Sequence, residues 1–317
     1  MYPAASVILF TTASGAGLGL IAWLALLALL GLAPTTTAFG LVAFGLALGL
    51  LSLGLLSSVF HLGRPERALL ALTQWRSSWL AREGVAALAT YMTTGPFALG
   101  WIVLNRTDGA FAAAAAASLA MSVATIVCTA MIYASLKPIR QWSNRWTAPV
   151  YLALAAASGG LLTVDLTSLM GGFRPAIGLA AVALVVASAA AKLAYWRHID
   201  NQSPRSTLAT ATGLASLGTV RLLEQPHTEA NYVMREMGFH IARKHSAKLR
   251  RLTVASLFAM PALSISSATL LADHFPIASA SAALLATLSA AVGLGVERWL
   301  FFAEATHVSM LYYGGAP

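Results

Sequence analysis

Charge is what this sequence has least of. Only 10% of its 317 residues are Asp, Glu, Lys or Arg, whereas 58% are hydrophobic and the mean hydropathy is +0.74. A soluble domain carries about a quarter charged residues, so an ordinary water-soluble globule is excluded. Cysteine is nearly absent too, with Cys128 the one copy, inside an apolar run. A disulfide takes two cysteines and an iron–sulfur cluster usually takes four. Any cluster therefore belongs to a partner, and Cys128 reads as a small buried apolar residue. A b-type haem needs paired histidines at matching depth in a bundle. His61, His198, His227, His240, His245, His274 and His307 all lie outside mid-helix positions, so no haem is expected, and no Cys/His spacing suits zinc. The net charge of +9 would point to nucleic acid in a soluble protein. In so apolar a chain it has another cause: cationic loops set topology and meet anionic lipid. Nucleic-acid binding is not expected.

What the sequence does have is long apolar runs. A bilayer core needs about 20 such residues per helix, and runs of that order cover 7–33, 38–60, 84–104, 110–136, 148–169, 176–196, 252–271 and 277–302. The predicted fold is an all-α integral membrane protein, one polytopic domain over 1–317, with a bundle of eight transmembrane helices. The first run has no positive segment before it and exceeds the 7–15 residues of a signal-peptide core, so it is expected to stay as the first helix. Ser14, Gly15, Gly17 and Gly19 there, and Gly45 and Gly49 in the second run, suggest close helix packing.

Two polar inserts break the pattern. In the first, 61–83, residues 66–80 could form a short interfacial helix with Leu69, Leu72, Trp75 and Trp79 on one side. The second, 197–251, holds a Ser/Thr/Gly-rich piece, a Glu224–Glu229 patch and a basic stretch from Arg235 to Arg251, with a helix expected over 231–249. The 137–147 loop, with Trp142 and Trp146, looks interfacial. Eight spans put both termini on one side, and of the 20 Lys and Arg only Arg106 and Arg174 fall on the other. Cationic loops stay in the cytoplasm. The expected place is therefore the inner (cytoplasmic) membrane, with both termini and the His61 loop cytoplasmic.

The first insert opens on His61 and closes on Glu83, with Arg64, Arg67, Arg76 and Arg82 and two tryptophans between them. A lipid-soluble carrier of protons and electrons needs groups that titrate near neutral pH. Histidine does so unperturbed, and a desolvated carboxylate does so when burial disfavours its charge. The plainer alternative is a helix-capping histidine and a glutamate paired with Arg82 or Arg76. Asp165 is expected to reach the far interface, and Lys192, Glu297 and Arg298 to snorkel or pair. Glu304 and His307, three residues apart, suit a surface pair. A secondary transporter would keep ionisable groups near the midplane; here they cluster at helix ends, which makes that the weaker reading. A purely structural tether stays open.

Phe60-His61-Leu62-Gly63-Arg64-Pro65, followed by Ser77-Ser78-Trp79-Leu80-Ala81-Arg82-Glu83-Gly84, resembles the membrane anchor subunit of the dimethyl sulfoxide reductase family. Its members show HLG-x-P and then S-x-L-x-x-E before a helix. The resemblance implies a chain that holds a molybdopterin catalytic subunit and an iron–sulfur electron-transfer subunit on the membrane and exchanges electrons with quinone. His61 and Glu83 match the positions of the family's menaquinol site. Arg64 and Arg67 would help fix the quinone head or the partner, although Arg64 stands where many relatives have a small polar residue. The expected dock for the iron–sulfur subunit is 206–250 together with the 61–83 loop. The family includes reducers of dimethyl sulfoxide and sulfite-oxidising complexes that work in the cytoplasm, and the expected orientation favours the latter.

Overall fold

Hydrocarbon offers no partner for a backbone N–H or C=O, so a chain that crosses it must satisfy those groups within each segment, and a helix does so. The computed structural model describes residues 2–313 apart from 61–63, 68–69, 71, 205, 225–228, 230, 232–233, 235–236 and 238–240, and of residues 67 and 241–244 the backbone alone. Among the described residues eight helices are long and apolar enough to cross a membrane. They are α1 (Ala5–Leu29), α2 (Thr37–Val59), α3 (Trp79–Leu104), α4 (Ala110–Ala134), α5 (Thr147–Met170), α6 (Pro175–Asn201), α7 and α8 (Pro276–Ala303). Helix α7 runs from Ile241–Thr253 through a π-helical turn, Val254–Ala259, into Met260–Leu271. The π turn precedes Pro261, which has no N–H to give the ladder. The expected all-α membrane bundle is the observed one.

The departures lie at the polar inserts. Of the interfacial helix expected over 66–80, the described part holds two 3₁₀ turns, Pro65–Arg67 and Leu72–Gln74, with Leu70 helical between them, and residues 68–69 and 71 lie outside the described residues. Helix α3 begins at Trp79 rather than at 84, because the Ser78 hydroxyl accepts from the Ala81 N–H at 3.4 Å and caps it. Helix α6 runs on past 196 to Asn201, and the basic stretch from Ile241 continues into α7 as its first turns, while most of the earlier part of the helix expected over 231–249 lies outside the described residues. The 137–147 loop is not interfacial throughout. Trp142 and Gln141 are buried, and the Gln141 amide holds Thr306 beyond the end of α8 at 2.8 Å.

Helices α1 to α4 pack together, α5 to α8 pack together, and α1 meets α5 at the joint. These two are the central pair: 67% of the α1 span and 61% of the α5 span are buried, against 28–39% for the rest. Glycine sets their approach. A Cβ on Gly19 would lie 1.9 Å from the Ala155 carbonyl oxygen, and one on Gly159 2.2 Å from the Gly19 carbonyl carbon. The indole N–H of Trp23 on α1 then reaches the Ala156 carbonyl of α5 at 2.9 Å. Gly17 abuts α2 in the same way, a Cβ there meeting the Ala47 oxygen at 2.6 Å. Gly45 and Gly49 do not serve packing as expected, since nothing lies within 4 Å of a Cβ at either.

Two clusters of rings mark the ends of the bundle. Phe39, Phe44, Phe97 and Trp101 interlock between α2 and α3. Tyr133, Trp142, Tyr151, Phe301 and Phe302 interlock at the arginine-rich end, where α4, α5 and α8 meet. Replacing Gly19 by Val should therefore separate α1 from α5 and cost upward of about 2 kcal/mol, while Gly45→Ala should stay within about 0.5 kcal/mol. Unfolding of the two variants in detergent measures both, and equal stability would remove the close contact from the account.

Candidate functional site

Glu83 lies in the second turn of α3, 3% exposed, near the arginine-rich end of the bundle. The early start of α3 puts it there: a residue expected just ahead of a helix is instead carried inward by one. The Thr129 hydroxyl of α4 donates to Glu83 Oε1. Neither arginine expected as a partner takes the carboxylate. Arg82 donates to the carbonyl oxygens of Trp75 at 2.9 Å and Arg76 at 2.6 Å, with its guanidinium 4.3 Å from the Trp79 ring. It thereby ties the insert to the start of α3. Among the described residues the carboxylate has one hydroxyl donor, and its burial suits a group that takes up and gives up a proton.

Of the other expected site residues, His61 lies outside the described residues, so its distance to Glu83 is not defined. Arg64 is exposed and 3.8 Å from Glu66 across an equally exposed pair. Such pairs contribute little. Arg67 ends the first 3₁₀ turn, and its side chain is outside the described residues. The insert folds back over α3, since a Cβ on Gly84 would meet Leu72 at 2.6 Å. Cys128, the neighbour of Thr129, is half-buried. Asp165 does not reach the far interface as expected but is buried, 8% exposed. Among the described residues no three His, Cys, Asp or Glu gather as ligands of a metal would.

A second polar centre lies at the same end of the bundle. Lys192 of α6 pairs with Glu297 of α8 at 2.5 Å, and Glu297 pairs with Arg298 at 2.5 Å, all three at 2% exposure or less. Pairing, not snorkelling, accounts for them. Rings enclose the cations: Lys192 Nζ lies 4.1 Å from the Tyr195 ring, and the Arg298 guanidinium 4.1 Å from that of Tyr151. Nearer the surface, Arg250 bonds Asp200 at 2.6 Å and Glu304 at 2.9 Å beside an open polar cavity of about 310 Å³. Glu304 and His307 do not form the expected pair, because α8 stops at Ala303. Glu304 takes Arg250, and His307 Nδ1 sits 2.8 Å from the Ser309 hydroxyl. Burial pushes the Glu304 carboxyl up while Arg250 opposes it, and burial pushes the His307 imidazole down.

Thr129 and Tyr151 were not among the expected site residues. A signal for the first was present: Ser118, Ser122, Thr125 and Thr129 recur at helical spacing through an otherwise apolar run and line one buried face of α4. Nothing in the sequence pairs Tyr151 with Arg298.

An eight-span bundle whose inserts, buried carboxylate and ion cluster gather at one end is a multi-pass membrane protein organised around that end. The family model described as DMSO reductase anchor subunit (DmsC) matches residues 1–304, and the chain belongs to that family. It is similar to a sulfite dehydrogenase subunit of Allochromatium vinosum, at 35% identity over 332 aligned positions that cover 99% of each chain. No solved structure matches it.

The ion cluster is a stability element whatever else it does. Removing one partner of a buried pair leaves charge uncompensated, at a cost of roughly 3–5 kcal/mol. Lys192→Met should lose about that much in chemical unfolding, whereas Arg64→Ala should change stability by less than about 0.5 kcal/mol. Equal losses in the two would contradict the assignment of these charges.

Proposed function

We propose that this chain is the quinone-reactive membrane anchor of a molybdenum and iron–sulfur oxidoreductase, and that it passes electrons between the quinone pool and the iron–sulfur subunit. The buried Glu83, held by one threonine hydroxyl beneath the His61 insert, is the observation that carries the reading. Quinol gives up two electrons and two protons on oxidation and takes up the same on reduction. The electrons go to or come from the partner's redox centre. The protons need a group beside the quinone oxygen, and Glu83 fills that role, with His61 as the second acid–base group and Arg64 and Arg67 at the edge of the head site. The insert over 61–83 and the segment 206–250 form the dock for the iron–sulfur subunit, which itself carries the molybdopterin subunit.

The similarity to a sulfite dehydrogenase subunit supports sulfite as the electron donor, with electrons running toward quinone. All Lys and Arg but Arg106 and Arg174 belong to the end that bears Glu83, and cation-rich loops remain in the cytoplasm. That supports a place in the cytoplasmic membrane with both termini, the His61 loop and the catalytic subunits on the cytoplasmic side.

In the assembled complex, Glu83→Gln and His61→Ala should each lower quinone-coupled turnover by about 10²-fold or more. Co-purification of the partner subunits should be unchanged. Turnover at the unmodified rate in both variants would remove quinone chemistry from this site. A reporter fused after Pro317 should be active in the cytoplasm; activity confined to the periplasm would reverse the orientation and remove the support it lends to sulfite.

A further inference from the structure

Between Thr129, the partner of Glu83, and Arg298 of the ion cluster lies a small chamber, mostly apolar in its lining but with polar groups from four helices. It offers about 20 Å³, room for roughly one water. Thr129, the partner of Glu83, forms one wall, and Tyr151 and Arg298 form another; Thr11, Thr12, Ser14 and Ser158 complete the polar lining. The hydroxyls of Thr11, Ser14 and Ser158 donate to carbonyls of their own helices, so their lone pairs remain to accept. On the far wall the supply is reversed. The Arg298 guanidinium and the Tyr151 hydroxyl, buried there, pair with each other, and the five N–H donors of the guanidinium exceed what Tyr151 and Glu297 take. A buried guanidinium on the wall of a water-sized chamber, with hydroxyl oxygens on the other walls, gives an ordered water the two to four polar partners it needs.

We propose that protons exchanged at Glu83 travel through the interior of the bundle. They pass over the Thr129 hydroxyl, a water in the chamber and the Tyr151 hydroxyl to the Lys192–Glu297–Arg298 cluster, and they leave at the polar cavity beside Glu304. This rests on the reading of Glu83 as the proton group of the quinone site. Each hydroxyl accepts a proton on one side as it donates one on the other, so the relay ends each transfer unchanged. Two protons per quinol follow the route outward, or inward for quinone reduction, while the two electrons cross separately to the partner's redox centre. Arg298 stays charged throughout and orients the water. Lys192 and Glu297 hold the proton between them. Beyond them, the Trp196 ring lies 5.1 Å from Lys192 and 5.3 Å from Arg250, which pairs with Glu304 at the open cavity. The indole ring takes no proton, so a second water beside it carries the proton from the Lys192–Glu297 pair to the Glu304 carboxylate.

Several other groups face this route. Cys128 and Tyr133 of α4 and Arg82 of α3 lie within electrostatic reach of the Glu83 region. Tyr195 of α6, Arg250 of α7, and Asp200 and Glu304 beside it surround the cluster. A pH profile reports all of them together, so the test separates hydroxyls from charges.

Tyr151→Phe keeps the ring that meets Arg298 and Tyr133 and removes only the hydroxyl. In the assembled complex it should lower quinone kcat roughly tenfold or more, leave KM for quinone unchanged, and raise the solvent deuterium isotope effect. Thr129→Val should do the same, and Thr129→Ser should restore turnover. Unchanged kcat, pH profile and isotope effect in Tyr151→Phe would overturn the interior route. Glu83→Gln, measured alongside, separates the two readings. If it alone loses turnover, the quinone site stands and the route falls; if it turns over normally, the site falls and the route with it.

Discussion

Water is scarce inside this bundle, and most of its architecture follows from that. A polar group that leaves water must find its partner in the protein or carry a cost of a few kcal/mol. Many Thr and Ser hydroxyls of the spans meet the demand by bonding carbonyls a turn back, as Thr163 and Thr167 do at 2.8 Å each. The tryptophans meet it across helices: Trp23 to Ala156, Trp101 to Pro34 and Trp142 to Phe301, at 2.8–3.1 Å. Lys192, Glu297 and Arg298 meet it with one another. Glycine makes the contact between the central helices close enough to matter, because α1 and α5 touch backbone to backbone at Gly19 and Gly159.

The same constraint explains how far sequence reasoning reached. A run of twenty apolar residues has one stable conformation in lipid, so the eight spans were legible, as were the helix-packing roles of Gly17 and Gly19. Which side of a helix a small residue faces is a tertiary matter, and there Gly45 and Gly49 misled: a spacing of four suits a helix interface, yet both face away from the bundle. The inserts were least legible. Residues 66–80 have the pattern of an amphipathic helix, but their described part holds 3₁₀ turns, bounded by Pro65 on one side and by the tether of Arg82 to two carbonyls and the cap at Ser78 on the other.

Glu83 illustrates the division within the site. Its presence was read from spacing, and so was its place near one membrane surface. Its partner could not be. A glutamate among arginines suggests an ion pair, but Arg82 is drawn off by carbonyls and by the Trp79 ring, both fixed by the turn before α3. What remains for the carboxylate is the buried hydroxyl face of α4, assembled from residues some forty positions further along the chain. Such a partner emerges only when helices are set side by side.

Charge placement then ties stability to chemistry. An isolated lysine, glutamate and arginine at 2% exposure or less would be prohibitive one by one, and they are tolerable because each is paired or faces a ring. The cluster is not closed by ion pairs alone, though: Arg298 bonds Glu297 and meets Tyr151 on the wall of the chamber shared with Thr129. A cluster serving packing alone would gain by closing that side with an apolar residue, since buried ion pairs are often matched or bettered by hydrophobic ones. Across that chamber stands Thr129, the partner of the one carboxylate of α3 that burial has stripped of water. Stability and proton handling thus meet in the same few residues, at the end of the bundle where the inserts gather.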